Sequence, residues 1–129
     1  MSATIKGVRD LEVYQIAFGA AMDIFHVTKR FPVEERYSLT DQVRRSSRST
    51  CSNLAEAWRK RAYIAAFKSK LADAMQEASE TQTWLAFALA CGYISQEVYT
   101  ELDRRYEIIL AKLNSMDMKA ETFCFKSRK

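Results

Sequence analysis

The segment FKSKLADAMQEASETQTWLAFALACG, residues 67–92, decides the fold. Phe67, Leu71, Ala74, Ala78, Thr81, Leu85 and Ala88 recur at alternating four- and three-residue steps. That spacing draws one line along an α-helix, whereas a strand, with its period of two, would scatter the same residues over both faces. Gly92 follows Cys91 as a C′ residue able to take the left-handed conformation that closes a helix. The start of this helix is not marked, because RKRAYIAAF, residues 59–67, holds neither a glycine nor a Ser/Thr cap.

Working outward, Ser95 is placed to cap a further helix whose apolar face is Val98, Leu102, Tyr106, Ile109, Leu113 and Met116. Upstream, Thr40 is the expected cap of a helix holding DQVRRSSRSTCSNLAEAWRKR, residues 41–61. On a 100° wheel Val43, Ser47, Thr50, Cys51, Leu54 and Trp58 share one side, with Arg44, Arg48, Ser52 and Arg59 on an adjacent stripe. The core side is small and weakly apolar in its first half, which predicts close approach to a neighbouring helix. The first helix is expected to open at Asp10 as its cap and run toward Arg30, on a face of Leu11, Tyr14, Ala17, Ala21, Ile24 and Phe25. Pro32 ends it, since the residue before proline is steered away from helical angles. Four helices with short connections predict an all-α fold: an antiparallel up-down-up-down four-helix bundle over residues 1–116. Residues 117–129 lack a persistent pattern and are expected to form a loosely ordered basic tail.

Bulk composition agrees. A chain of 129 residues builds one domain, and three glycines and one proline leave little material for the turns of a β fold. No run of 18 apolar residues exists and MSATIKGVRD has no hydrophobic signal core, so a cytoplasmic location without membrane contact is expected. Cys51, Cys91 and Cys124 are an odd, scattered set with no CxxC pair, which reads as packed, reduced thiols. The charge is uneven. From Gln42 to Lys70 eight basic residues face the single Glu56, a local +7 in a chain of net +4, so the rest sums to −3. Local basicity of this kind suits a polyanion.

The stretch FPVEERYSLTDQVRRSSRSTCSNLAEA, residues 31–57, resembles the four-helix-bundle family of proteins encoded in intervening sequences of bacterial large-subunit ribosomal RNA genes. Phe31, Pro32, Glu35, Tyr37, Leu39, Gln42, Arg44, Arg45, Ser49, Asn53, Ala55 and Glu56 fall on that family's pattern. Ala74, Glu80 and the Gly92–Tyr93 pair continue it, and DLEVYQIA is similar to the family's opening helix. The resemblance spans about residues 8–115, without a residue-by-residue match over 57–66. Ser38, Ser46, Cys51 and Ala57 stand where the pattern has glycine, alanine, a mid-helix proline and glycine. Losing that proline and glycine predicts an unbroken helix from Asp41 to Arg61. The resemblance implies a homo-oligomeric ring, five-membered in related proteins. Similar bundles that accompany retroelement reverse transcriptases look like basic rings engaging nucleic acid, which implies RNA or DNA as a partner.

Catalytic chemistry finds no foothold in the residues. His26 is the one histidine, and no glycine-rich phosphate loop is present. Cys51 lies near Arg48 but on the core side of its helix, which favours a packed thiol over a nucleophile. Glu56, Asp73, Glu77 and Glu80 lack the Glu-x-x-His motifs of di-iron bundles, so no metal, cofactor or small-molecule substrate is expected. Glu56 and Glu80 are instead expected to pair with Arg44 or Arg45 at a helix or subunit contact. Trp84, Phe87 and Cys91 extend a second stripe through Glu77 and Glu80, which needs a cover from the first helix or from another subunit. Two readings of the basic residues follow. In one, Arg48, Arg59, Lys60, Arg61 and Lys68 contact nucleic-acid phosphates. In the other, the chain is an oligomeric protein–protein interaction module with no nucleic-acid role, using the second stripe of the third helix and placing the arginines in subunit interfaces against acidic residues.

Overall fold

Some helix ends fall on the few capping signals the sequence carries, Ser95 and Gly92 among them. A computed structural model describes residues 4–126. They form a 3-10 turn at Val8–Asp10, α1 (Glu12–Thr28), a second 3-10 turn at Val33–Glu35, α2 (Leu39–Arg59), α3 (Ile64–Ala90), α4 (Gln96–Met118) and the short α5 (Ala120–Phe123). No strand occurs among the described residues. α1 and α3 each pack against both α2 and α4, so chain neighbours are spatial neighbours and α4 returns to α1. This is the up-down-up-down arrangement that short connections select.

Two caps behave as the sequence predicts. The Ser95 hydroxyl accepts from the Val98 amide at 3.1 Å and starts α4. Gly92, at φ 77°, closes α3, with the Tyr93 amide donating to the Ala88 carbonyl and the Gly92 amide to that of Leu89, each at 2.9 Å. Two others differ. The Asp10 carboxylate accepts from the Lys6 and Gly7 amides, at 2.8 and 3.2 Å, and so closes the turn before α1; Leu11 occupies the N-cap position. Thr40 lies inside α2, buried, and the Leu39 amide is met from outside by Glu35 Oε1 at 3.4 Å. The helix is unbroken, as its lack of an interior proline or glycine requires, but spans Leu39–Arg59, two residues earlier at each end than expected.

The core follows the α3 line: its seven predicted residues are its seven buried ones. In α1 the buried face includes Val13 and Ala20, and Tyr14 and Phe25 sit at its edge. The contact of α2 with α3 is built from small side chains. Ser46 and Ala57 on α2 and Ala74, Ala78 and Thr81 on α3 are almost or fully buried, and the Thr81 hydroxyl lies 2.8 Å from that of Ser46. Such residues let two backbones approach, and the paired hydroxyls satisfy each other away from water.

The segment after α4 is not loose over its described part. α4 runs to Met118, and α5 buries Ala120 and lays Phe123 against Trp58 and Phe67, with ring centroids 6.5 and 6.3 Å apart. The Phe125 amide donates to the Arg61 carbonyl at 3.0 Å. Ala120 and Phe123 of α5 are too few to show a helical period, yet each meets the bundle. Residues 127–129 of the expected tail lie outside the described residues.

Close α2–α3 packing yields a stability test. Ala78→Leu overfills a fully buried position and is expected to lower unfolding free energy by about 1–3 kcal/mol. Ala86→Leu, exposed on the same helix, stays within about 0.5 kcal/mol. Urea titrations followed by circular dichroism measure both.

Candidate nucleic-acid interface

α2 separates two unlike surfaces. Its α1 side carries cations gathered around one aromatic ring. Lys29 Nζ lies 4.7 Å from the Phe25 centroid, and the guanidinium carbons of Arg44 and Arg48 lie 4.9 and 5.7 Å from it. Spacing explains the cluster: Phe25 and Lys29 are four apart on α1, Arg44 and Arg48 four apart on α2, so each pair shares a face. Arg44 is also anchored. Its Nε donates to the Thr28 hydroxyl at 2.7 Å, that hydroxyl reaches the Ile24 carbonyl at 2.8 Å, and Nη2 approaches the Phe25 carbonyl at 3.4 Å. A guanidinium at the last turn of α1 meets carbonyls left without helical partners and the negative end of the helix dipole.

Lys29, Arg44, Arg48, Arg59 and Lys60 form no ion pair among the described residues. Three carboxylates of α1 and α2 are engaged elsewhere, while Asp41, exposed one turn before Arg44, forms no ion pair among the described residues. On α1, Glu12 and Asp23 turn to Lys112 and Arg105 of α4, and Glu56 of α2 turns to Lys70 of α3 at 2.8 Å. That hydrogen bond and charge, with Lys60 adding to them, hold the Glu56 carboxyl below the usual carboxylate range.

Along α1, Phe18 and Met22 precede Phe25 at four- and three-residue steps and are 52% and 42% exposed. Neither these nor the Phe25–Lys29 pair stood out as site residues in the sequence. The usable signal is a cation four residues beyond an aromatic on a line that continues outside the core.

The α3 side of α2 is acidic and aromatic. Burial and the adjacent Glu80 push the Glu77 carboxyl up, against the opposing pull of Arg45. Trp84 and Phe87 pack at 6.1 Å between centroids, and Phe87 remains 54% exposed. Arg45 and Glu80 thus both act on Glu77, Glu56 meets Lys70 across α2 and α3, and Trp84 and Phe87 pack on each other along α3. Arg44 does not join them. Within the chain, the expected pairing of Glu56 and Glu80 with Arg44 or Arg45 is not made. Glu56 takes Lys70, and Arg44 is held on α1.

The phosphate candidates divide. Arg48, Arg59 and Lys60 are exposed. Arg61 is half-buried and engaged: its guanidinium lies 3.7 Å from the Trp58 ring and 4.7 Å from Phe125, and Nε donates to the Trp58 carbonyl at 2.8 Å. Lys68 points to α4, 4.0 Å from Asp117, away from the α1–α2 surface. His26 lines a shallow cleft of about 380 Å³ with Arg30, Tyr93 and Ser95 on the far side of α1. Burial pushes the Cys51 thiol up to about 11, which suits a packed side chain and opposes a thiolate nucleophile at neutral pH. No group of three or more His, Cys, Asp or Glu side chains is arranged to hold a metal among the described residues, and no helix there is long and apolar enough to cross a membrane.

Comparison with known proteins agrees with this architecture. The model of a family described as 23S rRNA-intervening sequence protein matches residues 9–115, nearly the span over which the sequence carries the resemblance. A solved structure from Bacteroides thetaiotaomicron, a protein of unknown function from the S23 ribosomal protein family, is similar at TM-score 0.73 and 29% identity. The similarity covers 81% of this chain and 97% of that one. No curated protein matches the chain.

The anchoring of Arg44 separates it from its neighbour energetically. Arg44→Ala is expected to cost about 1–3 kcal/mol, the range for hydrogen bonds from a charged group. Arg48→Ala removes only an exposed cation–ring attraction, less than about 1 kcal/mol. Chemical denaturation of the two variants checks the difference, and equal losses would contradict a structural role confined to Arg44.

Proposed function

From the membership of this chain in the family of 23S rRNA-intervening sequence proteins, we propose that it is a non-enzymatic helical bundle that binds RNA or DNA through phosphate contacts on its basic face. One observation carries this reading: Lys29, Arg48, Arg59 and Lys60 are exposed cations without a carboxylate partner among the described residues. A solvated basic helix ordinarily recruits nearby acids. Here Glu12, Asp23 and Glu56 pair with cations of α3 and α4 instead. Unneutralised charge on one face favours a polyanion and needs no readout of base sequence. Arg59 and Lys60 stay among the phosphate-binding residues, Lys29 joins them, and Arg61 and Lys68 drop out.

The test is the salt dependence of binding. The wild-type chain should bind labelled RNA or DNA at roughly 50 mM salt, with affinity falling steeply as salt rises. Arg48→Ser, Arg59→Ser and Lys60→Ser combined should reduce the slope of log affinity against log salt by about 2–3, at roughly 0.7–0.9 for each phosphate no longer neutralised. Lys68→Ser should leave the slope unchanged. Absence of binding at low salt overturns the reading and leaves the protein-interaction module in its place.

We also propose that the chain assembles with copies of itself into a ring, with five subunits taken from the family resemblance, the α2–α3 face forming one side of a head-to-tail contact. Phe87 favours this, since a half-exposed aromatic packed on Trp84 extends apolar surface beyond what the bundle covers. Light scattering at micromolar concentration should give a multiple of the 14.9 kDa chain mass, reduced by Phe87→Ser. A wild-type monomer overturns the ring.

A further inference from the structure

We infer that the α1–α2 face is built for single-stranded nucleic acid, with Phe18 and Met22 as the surface on which unpaired bases stack. The inference rests on the phosphate-binding reading and narrows its ligand. From Phe18 to Lys29 the outer line of α1 runs Phe18, Met22, Phe25, Lys29, about 16 Å of helix at 1.5 Å per residue. Its lower half is apolar and open, with Phe18 52% and Met22 42% exposed and Tyr14 packed on Phe18 at 6.1 Å between centroids. Its upper half is cationic, since Lys29, Arg44 and Arg48 surround the Phe25 ring.

Phosphate and base are therefore offered different places on one face. Arg48 and Lys29 are held beside a ring that limits their wandering, and Arg44 is fixed by Thr28. A backbone following these cations carries its bases over Phe18 and Met22. A duplex gains only the charge contacts, because its bases are stacked on each other and their flat faces are closed to a side chain. An unpaired strand gains stacking as well, with little preference for base identity, since every base has an aromatic face.

The competing occupant is a second copy of this chain. Two copies meeting through this same face would bring two sets of Lys29, Arg44 and Arg48 together with Asp41 as the one acid on that stripe of α2, which disfavours a symmetric contact. A head-to-tail contact with the acidic α2–α3 face of another copy would relieve that repulsion, so the experiment includes it as an outcome.

Fluorescence anisotropy tests the inference with labelled oligouridylate and oligothymidylate of about 15 nucleotides and a mixed-sequence DNA duplex of equal length, at one fixed low salt. Single strands should bind at least about tenfold tighter than duplex, and Phe18→Ser with Met22→Ser should weaken them roughly five- to hundredfold. The same change should leave duplex affinity and the salt slope as they are, whereas Lys29→Ser with Arg48→Ser should weaken both ligands and lower the slope. Phe18 and Met22 are exposed, and a thermal melt verifies that the fold survives their replacement. Duplex binding equal to single-strand binding overturns the inference while phosphate binding stands. So does an unchanged single-strand affinity accompanied by a lower solution mass, which assigns the face to a subunit contact. Failure of every probe to bind at low salt removes the phosphate reading itself.

Discussion

Close contact between α2 and α3 is the constraint on which the other features of this molecule depend. Ala74, Ala78 and Thr81 on one helix meet Ser46 and Ala57 on the other, and the Ser46 and Thr81 hydroxyls lie 2.8 Å apart inside the contact. Small residues gain little from burial individually, but they allow many atoms of two backbones to come into range at once. A paired hydroxyl costs far less in the interior than a lone one, so these helices accept polar atoms in the core without losing order. With α2 held this firmly on one side, its other side is free to carry charge.

The junction of α1 with α2 shows how that freedom is used. Arg44 reaches back to the Thr28 hydroxyl and to the carbonyl end of α1, doing for the end of one helix what a cap within that helix would do. Phe25 then acts as a shared anvil for Lys29, Arg44 and Arg48. A benzene ring has a negative face, so cations beside it lose some of their mutual repulsion, and the desolvation a buried ion pair would demand is avoided. None of these cations is in an ion pair among the described residues.

Charge is sorted by helix neighbour, not by helix. α1 sends its acids to α4, α2 sends Glu56 to α3, and Gln82 of α3 reaches Asp103 and Glu107 of α4. The result is a bundle with a basic, partly aromatic surface on one side of α2 and a more acidic, partly aromatic one on the other. The same sorting makes Glu56 easier to ionise and Glu77 harder, since the first meets Lys70 and the second is partly buried, beside Glu80.

By itself the sequence determined the class of fold, the α3 core line, the caps at Ser95 and Gly92 and the continuity of α2. These are local or periodic properties, set by 3.6 residues per turn, a hydroxyl near free amides and a residue without a Cβ. The same helical wheel places Arg48 and Arg59 beside the core side, and Lys60 stands out with them by its position at the helix end. Only the tertiary structure decided the rest. Arg61 has the composition of a surface cation, yet it is sandwiched because Phe125, 64 positions later, returns to its side. Arg44 and Arg45 are adjacent, yet one faces α1 and the other α3, because neighbouring residues on a helix diverge by about 100° and which neighbour lies there is a matter of packing. Partner identity is a long-range property, and no local pattern in this chain encodes it.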